Sequence, residues 1–326
     1  MISKLIKISD NDKSLRPYQI NSKKEIYEAW RSTQSILFQM PTGTGKTRLF
    51  TSIMKDIELT NNQITANSKI RILVLAHRAE LISQIADTLQ KYHLKFGIIK
   101  SGILENSDAT IQIASIQSLS RRLSRWKNTP FNFIIIDEAH HALANTYKTI
   151  CSSFPNAKVL GVTATPYRLN GESFRILFGK LITSLPVQEF INLGYLSNFQ
   201  YYSIKPTTEF QYELDNIRHY GINGDYAENE LMNICDKKTI RAQLIKSYKQ
   251  YAEGKKGIVY TINKTHNKHI AQQYENIGIN VATIDSDTPT KERVRIVNDF
   301  KCGKIQIICN VNIFSEGFDC PDIEFI

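Results

Sequence analysis

The chain has 326 residues, enough for about two domains that each bury a core of their own. Apolar residues make up 42% and charged residues 22% of it, which fits an ordinary soluble globular protein, and 41 Lys and Arg against 31 Asp and Glu leave a formal charge of +10. That surplus favours a polyanionic partner, nucleic acid before membrane, although a basic surface alone requires neither.

The five cysteines (Cys151, Cys235, Cys302, Cys309, Cys320) form no C-x-x-C pair, which argues against a zinc site or a disulfide framework and for a reducing compartment. No apolar run approaches the ~18 residues needed to cross a bilayer, and nothing near Met1 has the shape of a signal peptide. A cytoplasmic protein without a membrane partner is the expectation.

From about Ile36 short apolar runs alternate with amphipathic stretches. "ILFQM", "IRILVLAH", "TIQIASI", "FNFIIID" and "KVLGVTA" are apolar on both faces, as buried parallel strands are. Between the first two, Phe50, Ile53, Met54 and Ile57 recur at helical spacing, and Leu81, Ile85, Leu89 and Tyr92 do so after the second. The alternation predicts a doubly wound α/β domain over residues 1–186, with "TNNQITANSK" (60–69) as a polar loop. Residues 187–250, rich in Tyr and Asn, read as a connector with some structure of its own. A second parallel α/β set occupies 251–326: "GIVYT", a helix marked by Ile270, Tyr274 and Ile277 and closed by Gly278, "VATID", a helix carrying Val294, Val297 and Phe300, and "IQIICNV". Thr288-Pro289 offers that last helix an N-cap and a first-turn proline.

Within the first set, "ILFQMPTGTGKTRLF" places a Gly-rich turn, Thr42-Gly43-Thr44-Gly45-Lys46-Thr47, between a strand and a helix. Gly43 and Gly45 let backbone amides close around phosphate oxygens, and the helix beginning near Lys46 adds its positive end. Lys46 reaches the β- and γ-phosphates of a nucleotide, and the Thr47 hydroxyl ligates magnesium. The general phosphate-loop pattern wants Gly at position 40, where this chain has Met40. Further on, "FIIIDEAHH" ends a buried strand in two carboxylates, where ligands of α/β sheets bind. Asp137 suits magnesium, and Glu138 suits the base that deprotonates an attacking water.

Two corners where strands pass into helices carry polar side chains suited to backbone phosphates, His77 with Arg78 and Ser115 with Gln117. The neighbouring "RRLSRWK" (121–127) is a basic cluster around Trp126 that serves equally as a solvated helix face. "YY" at 201–202 reads as a packed connector strand. His266 and His269 read as ordinary helix residues, with no carboxylate partner evident.

Taken in order, "LRPYQ" (15–19), "MPTGTGKT", "LAHRAEL" (75–81), "ASIQSL" (114–119), "DEAH", "GVTATPYR" (161–168), "VYTINKTHNKHI" and "NVNIFSEGFDCPDIE" resemble the motif set of the superfamily-two helicases and translocases. The forms "RPYQ", "AHR" and "TATP" look more like the DNA-acting members, and most like the RadD-like bacterial and phage DNA repair helicases. The resemblance implies two RecA-like P-loop NTPase domains and an ATP- and magnesium-dependent motor on the DNA backbone, independent of sequence. It places Gln19 at the adenine edge with Arg16 or Tyr18 nearby. His140 and the Thr163-Ala164-Thr165 segment couple nucleotide to DNA, and Glu316, Gly317 and Asp319 face the nucleotide from the second domain.

In that family an arginine finger, which supplies roughly 10³–10⁵ of the rate in comparable enzymes, lies in a "Q-x-x-G-R-x-x-R"-like stretch after these motifs. The sequence contains no such stretch; Arg293 and Arg295 fall on the wrong helix and Arg168 in the first domain. The expectation is therefore an incomplete second domain, completed by a missing C-terminal segment or by a partner protein, and a chain that holds ATP better than it hydrolyses it. A non-hydrolysing ATP-dependent DNA clamp, or half of a split enzyme, is the alternative.

Overall fold

The computed structural model describes residues 6, 12–64, 69–142, 145–166, 174–203, 208–219, 226–314, 318 and 320–326. The chain divides into two compact units, Met1–Phe199 and Gln200–Ile326.

The first unit is built on a parallel sheet of β1 (Ser35–Gln39), β2 (Arg71–Ala76), β3 (Phe96–Ile99), β4 (Ile111–Ser115), β5 (Phe131–Asp137), β6 (Lys158–Thr163) and β7 (Lys180–Thr183), in the order β3-β4-β2-β5-β6-β1-β7. Its helices are α1 (Pro17–Ser32), α2 (Lys46–Asn61), α3 (Ala79–Lys91), α4 (Ile116–Arg121), α5 (Leu123–Trp126), α6 (Asn145–Ser152) and α7 (Val187–Asn192). Successive side chains of a strand point to opposite faces. Ile36, Phe38, Ile72, Val74, Phe133 and Ile135 accordingly join one core with α1, α2 and α3, while Leu37, Leu73, Leu75, Ile134 and Ile136 join another with α4, α5 and α6. Both faces are covered, which is why the strand sequences are apolar throughout.

Helix α1 is pinned by polar groups as well as apolar ones. The Lys23 ammonium, 1% exposed, lies 2.7 Å from Asp56 Oδ2 and donates to Ser52 Oγ at 2.8 Å, both on α2. Ser52 Oγ donates onward to Asp12 Oδ2 at 2.6 Å, and the Tyr27 hydroxyl donates to Asp56 Oδ2 at 3.3 Å. The basic cluster at 121–127 is anchored inward: Trp126 is buried against Phe131, and Arg122 and Arg125 pair with Glu105.

The second unit holds α8 (Thr208–Asp215), α9 (Glu228–Cys235), α10 (Lys238–Tyr251), β8 (Gly257–Tyr260), α11 (Lys264–Glu275), β9 (Val281–Ile284), α12 (Thr290–Lys301) and β10 (Ile307–Asn310). Its three strands are parallel in the order β8-β10-β9, with Ile308 on one core face and Ile307 and Cys309 on the other. Gly278, at φ 82°, turns the chain out of α11 as expected. Beyond β10, Phe325 forms a parallel bridge with Gly257, packs its ring on Tyr248, and accepts a hydrogen bond from Ile258 N at 3.2 Å. Of the 187–250 span, α7 sends Phe190 into the first unit's core and α10 sends Tyr248 into the second's.

Three local expectations are corrected. Tyr201 and Tyr202 belong to no strand and are 84% and 55% exposed; Tyr202 instead stacks on Tyr251, 4.1 Å between centroids, ring on ring rather than in a backbone ladder. Pro289 itself is the N-cap of α12, and the Thr288 hydroxyl accepts from Asp285 N, tightening the turn before the helix rather than capping it. His269 does have a carboxylate partner: its Nδ1 lies 2.6 Å from Asp236 Oδ2, with Arg241 on the other carboxylate oxygen.

Candidate nucleotide and nucleic-acid site

Every strand of the first sheet runs the same way, so residues just past the strand ends line up along one edge. The register places Ser115 at the end of β4, Ala76 and then His77 at the end of β2, Asp137 at the end of β5, Thr163 at the end of β6 and Gln39 at the end of β1. Across this edge the order is therefore Ser115/Gln117, His77/Arg78, Asp137/Glu138/His140, Thr163/Thr165 and the Gly-rich turn.

The turn leaves β1 and enters α2 with Gly45 as N-cap. Gly43 and Gly45 sit at φ 82° and 90°, in the region where side chains are strained, and a Cβ on Gly45 would lie 2.6 Å from Gln19 Nε2. Met40 is not left-handed; it is fully buried in the α1–α3 core, and its N–H donates to Thr163 O at 2.9 Å. That ordinary conformation explains why the turn closes without the glycine expected at this position. Thr44 Oγ1 donates to Pro41 O at 2.6 Å inside the turn. Thr42 and Gly43 are exposed, Thr47 is half-buried, and Lys46 is buried at the start of α2.

Helix α1 braces this turn. The Tyr18 hydroxyl donates to Thr44 O at 2.7 Å, and Gln19 Nε2 donates to Thr44 O and Gly45 O, each at 3.1 Å. Gln19 Oε1 accepts from Arg16 N at 2.9 Å, which leaves Gln19 1% exposed. The Arg16 guanidinium lies over the Tyr195 ring, 5.0 Å from its centroid.

Asp137 is 4% exposed, and its carboxyl is pushed up from an ordinary 3.8 to about 6. Burial is the main cause and the Glu138 charge adds to it, while the Lys46 ammonium, the Glu138 N–H at 3.1 Å and His77 pull the other way. Lys46 and His77, from either side along the edge, thus both act on Asp137. Glu138 takes a left-handed φ of 48°, uncommon for a residue with a side chain. It turns the chain sharply into a short 3₁₀ segment, Ala139–His141. The turn brings His140 Nδ1 within 3.4 Å of Glu138 Oε2 and 3.2 Å of Thr163 Oγ1. Thr163 Oγ1 in turn accepts from Thr165 N at 3.1 Å.

The donor set fits magnesium. Asp137, Glu138 and the Thr47 hydroxyl supply hard oxygens, and a buried carboxylate resists ionisation until a cation arrives. Among the described residues no three His, Cys, Asp or Glu are grouped to hold a metal; magnesium bound through one or two carboxylates and substrate phosphates needs no such cage.

At the far end of the edge, Ser115 caps α4 by accepting from Ser118 N at 3.5 Å and donates to Gln117 Oε1 at 2.8 Å. Arg78, half-buried, is the extended N-cap of α3. His77 is set differently: both its ring nitrogens are shut off from solvent, and its ring lies 4.2 Å from that of His141.

Two family profiles match the chain in succession, the Type III restriction enzyme, res subunit over residues 12–168 and the Helicase conserved C-terminal domain over residues 237–326. The chain belongs to the superfamily-two helicases. The chain is 31% identical over 286 residues to the 51.5 kDa protein of Lactococcus phage (isolate 7-9), covering 88% of this chain and 57% of the phage protein. It is 28% identical to the putative ATP-dependent helicase IRC3 of Saccharomyces cerevisiae, covering 99% of this chain and 48% of that one. The chain thus spans about half the length of the curated relatives it matches. Among solved structures it is similar to a fragment of a putative HsdR subunit of a type I restriction enzyme from Vibrio vulnificus YJ016, with a TM-score of 0.62 and 20% identity over 97% of this chain and 59% of that one. Both sheets of the chain are RecA-like.

The residues singled out at the ends of the first unit's strands fall on one sheet edge, with Arg16 and Gln19 at the start of α1, whereas Glu316, Gly317, Asp319 and Arg168 lie outside the described residues. Two features of the site escape a sequence reading, the bracing contact of Tyr18 and the involvement of His141. The brace at Tyr18 shows only as part of "LRPYQ", with nothing in the spacing to say that its hydroxyl reaches Thr44. His141 follows a motif histidine and carries no signal of its own.

Proposed function

We propose that this helicase is an ATP-driven motor that moves on or unwinds DNA through the phosphate backbone, in repair or a related process. The observation that carries the proposal is the linear order on the sheet edge. The Gly-rich turn lies at one end and the polar corners of Arg78 and Ser115 lie at the other; between them stand Asp137, Glu138 and His140, whose Nδ1 lies 3.2 Å from Thr163 Oγ1.

In this reading the amides of Thr42 to Gly45 and the Lys46 ammonium hold the ATP phosphates, with Gln19, Tyr18 and Arg16 fixing the turn on its adenine side. Thr47 and Asp137 would hold magnesium, which when bound neutralises charge on the phosphate oxygens. Glu138 orients the attacking water and takes its proton. His140, whose Nδ1 is hydrogen-bonded to Thr163 Oγ1 and lies 3.4 Å from Glu138 Oε2, ties the position of that base to the Thr163–Thr165 segment. Arg78, the amides of α3, Ser115 and Gln117 hold DNA phosphates without reading bases, so binding weakens steeply with salt.

The test is the ATPase rate of the chain with and without DNA. A rate that rises with DNA and disappears in Lys46→Ala and Glu138→Gln supports the motor. A rate indifferent to DNA refutes it, and ATP-responsive DNA binding with no hydrolysis under any condition points to a clamp instead.

A further inference from the structure

His77 and His141 form a contact that the roles above do not use. β2 and β5 are neighbours in register, Leu75 beside Ile136, so the residues past their ends face one another. The left-handed turn at Glu138 then swings two consecutive histidines back over the strand ends. The outcome is a continuous row of imidazoles: His77 to His141 at 4.2 Å between centroids, His141 to His140 at 4.1 Å, with tilts of 55° and 45°. The row begins one residue before Arg78, the N-cap of α3, and ends on His140, which touches both Glu138 and Thr163.

We propose that this imidazole row is the physical link between the DNA-gripping corner and the water-activating carboxylate, with His141 as its central positioning residue. The inference rests on the motor reading above and names the part that transmits. His77 has its ring nitrogens turned away from solvent, so its work lies inside the protein, against His141, while its neighbour Arg78 and the start of α3 meet the phosphates. A shift of that corner on DNA binding moves the His77 ring. With ring centroids 4.2 Å apart the His141 ring is displaced with it, and the His140 ring, 4.1 Å further along, carries the displacement to Glu138. Coupling between two sites requires such an element with two arrangements that both ligands bias.

The test uses the full chain with His141→Ala, which opens the row, and His141→Phe, which keeps a flat ring in the same place. DNA affinity without nucleotide and ATPase rate without DNA are measured alongside the DNA-stimulated rate. In His141→Ala the first two stay within about twofold while DNA stimulation falls by roughly 5- to 150-fold, the range of ordinary coupling energies; His141→Phe restores most of it. Full stimulation in His141→Ala overturns the proposal. So does an equal loss of basal rate and stimulation in both variants, which marks a structural role. If the unaltered chain shows DNA binding and ATP hydrolysis but no stimulation, the motor reading itself fails and this inference with it, a result distinguishable because no variant is needed to see it.

Discussion

The buried Lys23–Asp56 pair offers a sharp perturbation, because it joins α1, which braces the phosphate turn, to α2, which begins with Lys46. Both side chains are 1% exposed and their charged atoms are 2.7 Å apart. Lys23→Met keeps most of the stem volume but removes the cation from beside the buried Asp56 carboxylate, to which the Tyr27 hydroxyl still donates. Removing one partner of a buried pair costs about 3–5 kcal/mol, chiefly through the uncompensated charge. That is a large fraction of the ~5–15 kcal/mol that holds a typical domain together.

The chain has two tryptophans, Trp30 and Trp126, both buried in the first unit. Tryptophan fluorescence during urea unfolding therefore reports that unit without interference from the second, and the midpoint shift at constant slope gives the loss. The sign of the pH dependence follows. A stranded carboxylate has a folded pKa above its unfolded ~3.9, so the penalty is complete above the raised value and vanishes as pH falls toward the unfolded one. Adding Asp56→Asn to Lys23→Met removes the charge and recovers more than half of the loss. A cost below about 1 kcal/mol for Lys23→Met, in the range of exposed pairs, or no recovery in the double variant, refutes the reasoning.

Gly45→Ala should cost about 1–2 kcal/mol for the left-handed backbone and abolish tight binding of a fluorescent ATP analogue, since the new methyl meets Gln19 Nε2 at 2.6 Å; unchanged binding argues against the bracing role of Gln19. Burial raises the Asp12 carboxyl, but hydrogen bonds from Ser14 and Ser52 and the Lys55 charge outweigh it, and the folded pKa lies below the ordinary 3.8. Its contribution is therefore present above that value and lost as pH falls through the folded one, so Asp12→Ala should flatten the acid limb of the first unit's stability curve. Gly257→Ala should displace the Phe325 ring that occupies the space of the new Cβ; hydrogen exchange at Ile258 N, bonded to Phe325 O, then accelerates while the tryptophan signal stays unchanged.

The central strands were legible because burial on both faces leaves no polar residue to interrupt them: "FNFIIID" and "IRILVLAH" could serve nowhere else. The edge strands β3 and β7 were not, since each has partly exposed positions and is too short for a period to emerge. The Gly-rich turn and the acidic pair were legible as motifs, and even the departure at Met40 makes sense once its side chain is seen in the core. The polar scaffolding behind the site was hidden. Lys23 reads as a surface lysine in "NSKKEIYEAW", and only the partner 33 residues later on a neighbouring helix shows otherwise. The imidazole row was hidden for the same reason: adjacency of His77 and His141 comes from strand register and one left-handed residue, neither of which has a sequence signature.

The claim that nucleotide and DNA share one sheet edge is tested most directly by equilibrium linkage, which needs no turnover. DNA affinity is measured with and without a saturating non-hydrolysable ATP analogue and magnesium, and the analogue's affinity with and without saturating DNA. The predicted result is a change of roughly fivefold or more in each direction and of equal size, as reciprocity demands, absent in Lys46→Ala. Identical DNA affinity with and without bound nucleotide in the unaltered chain would contradict it.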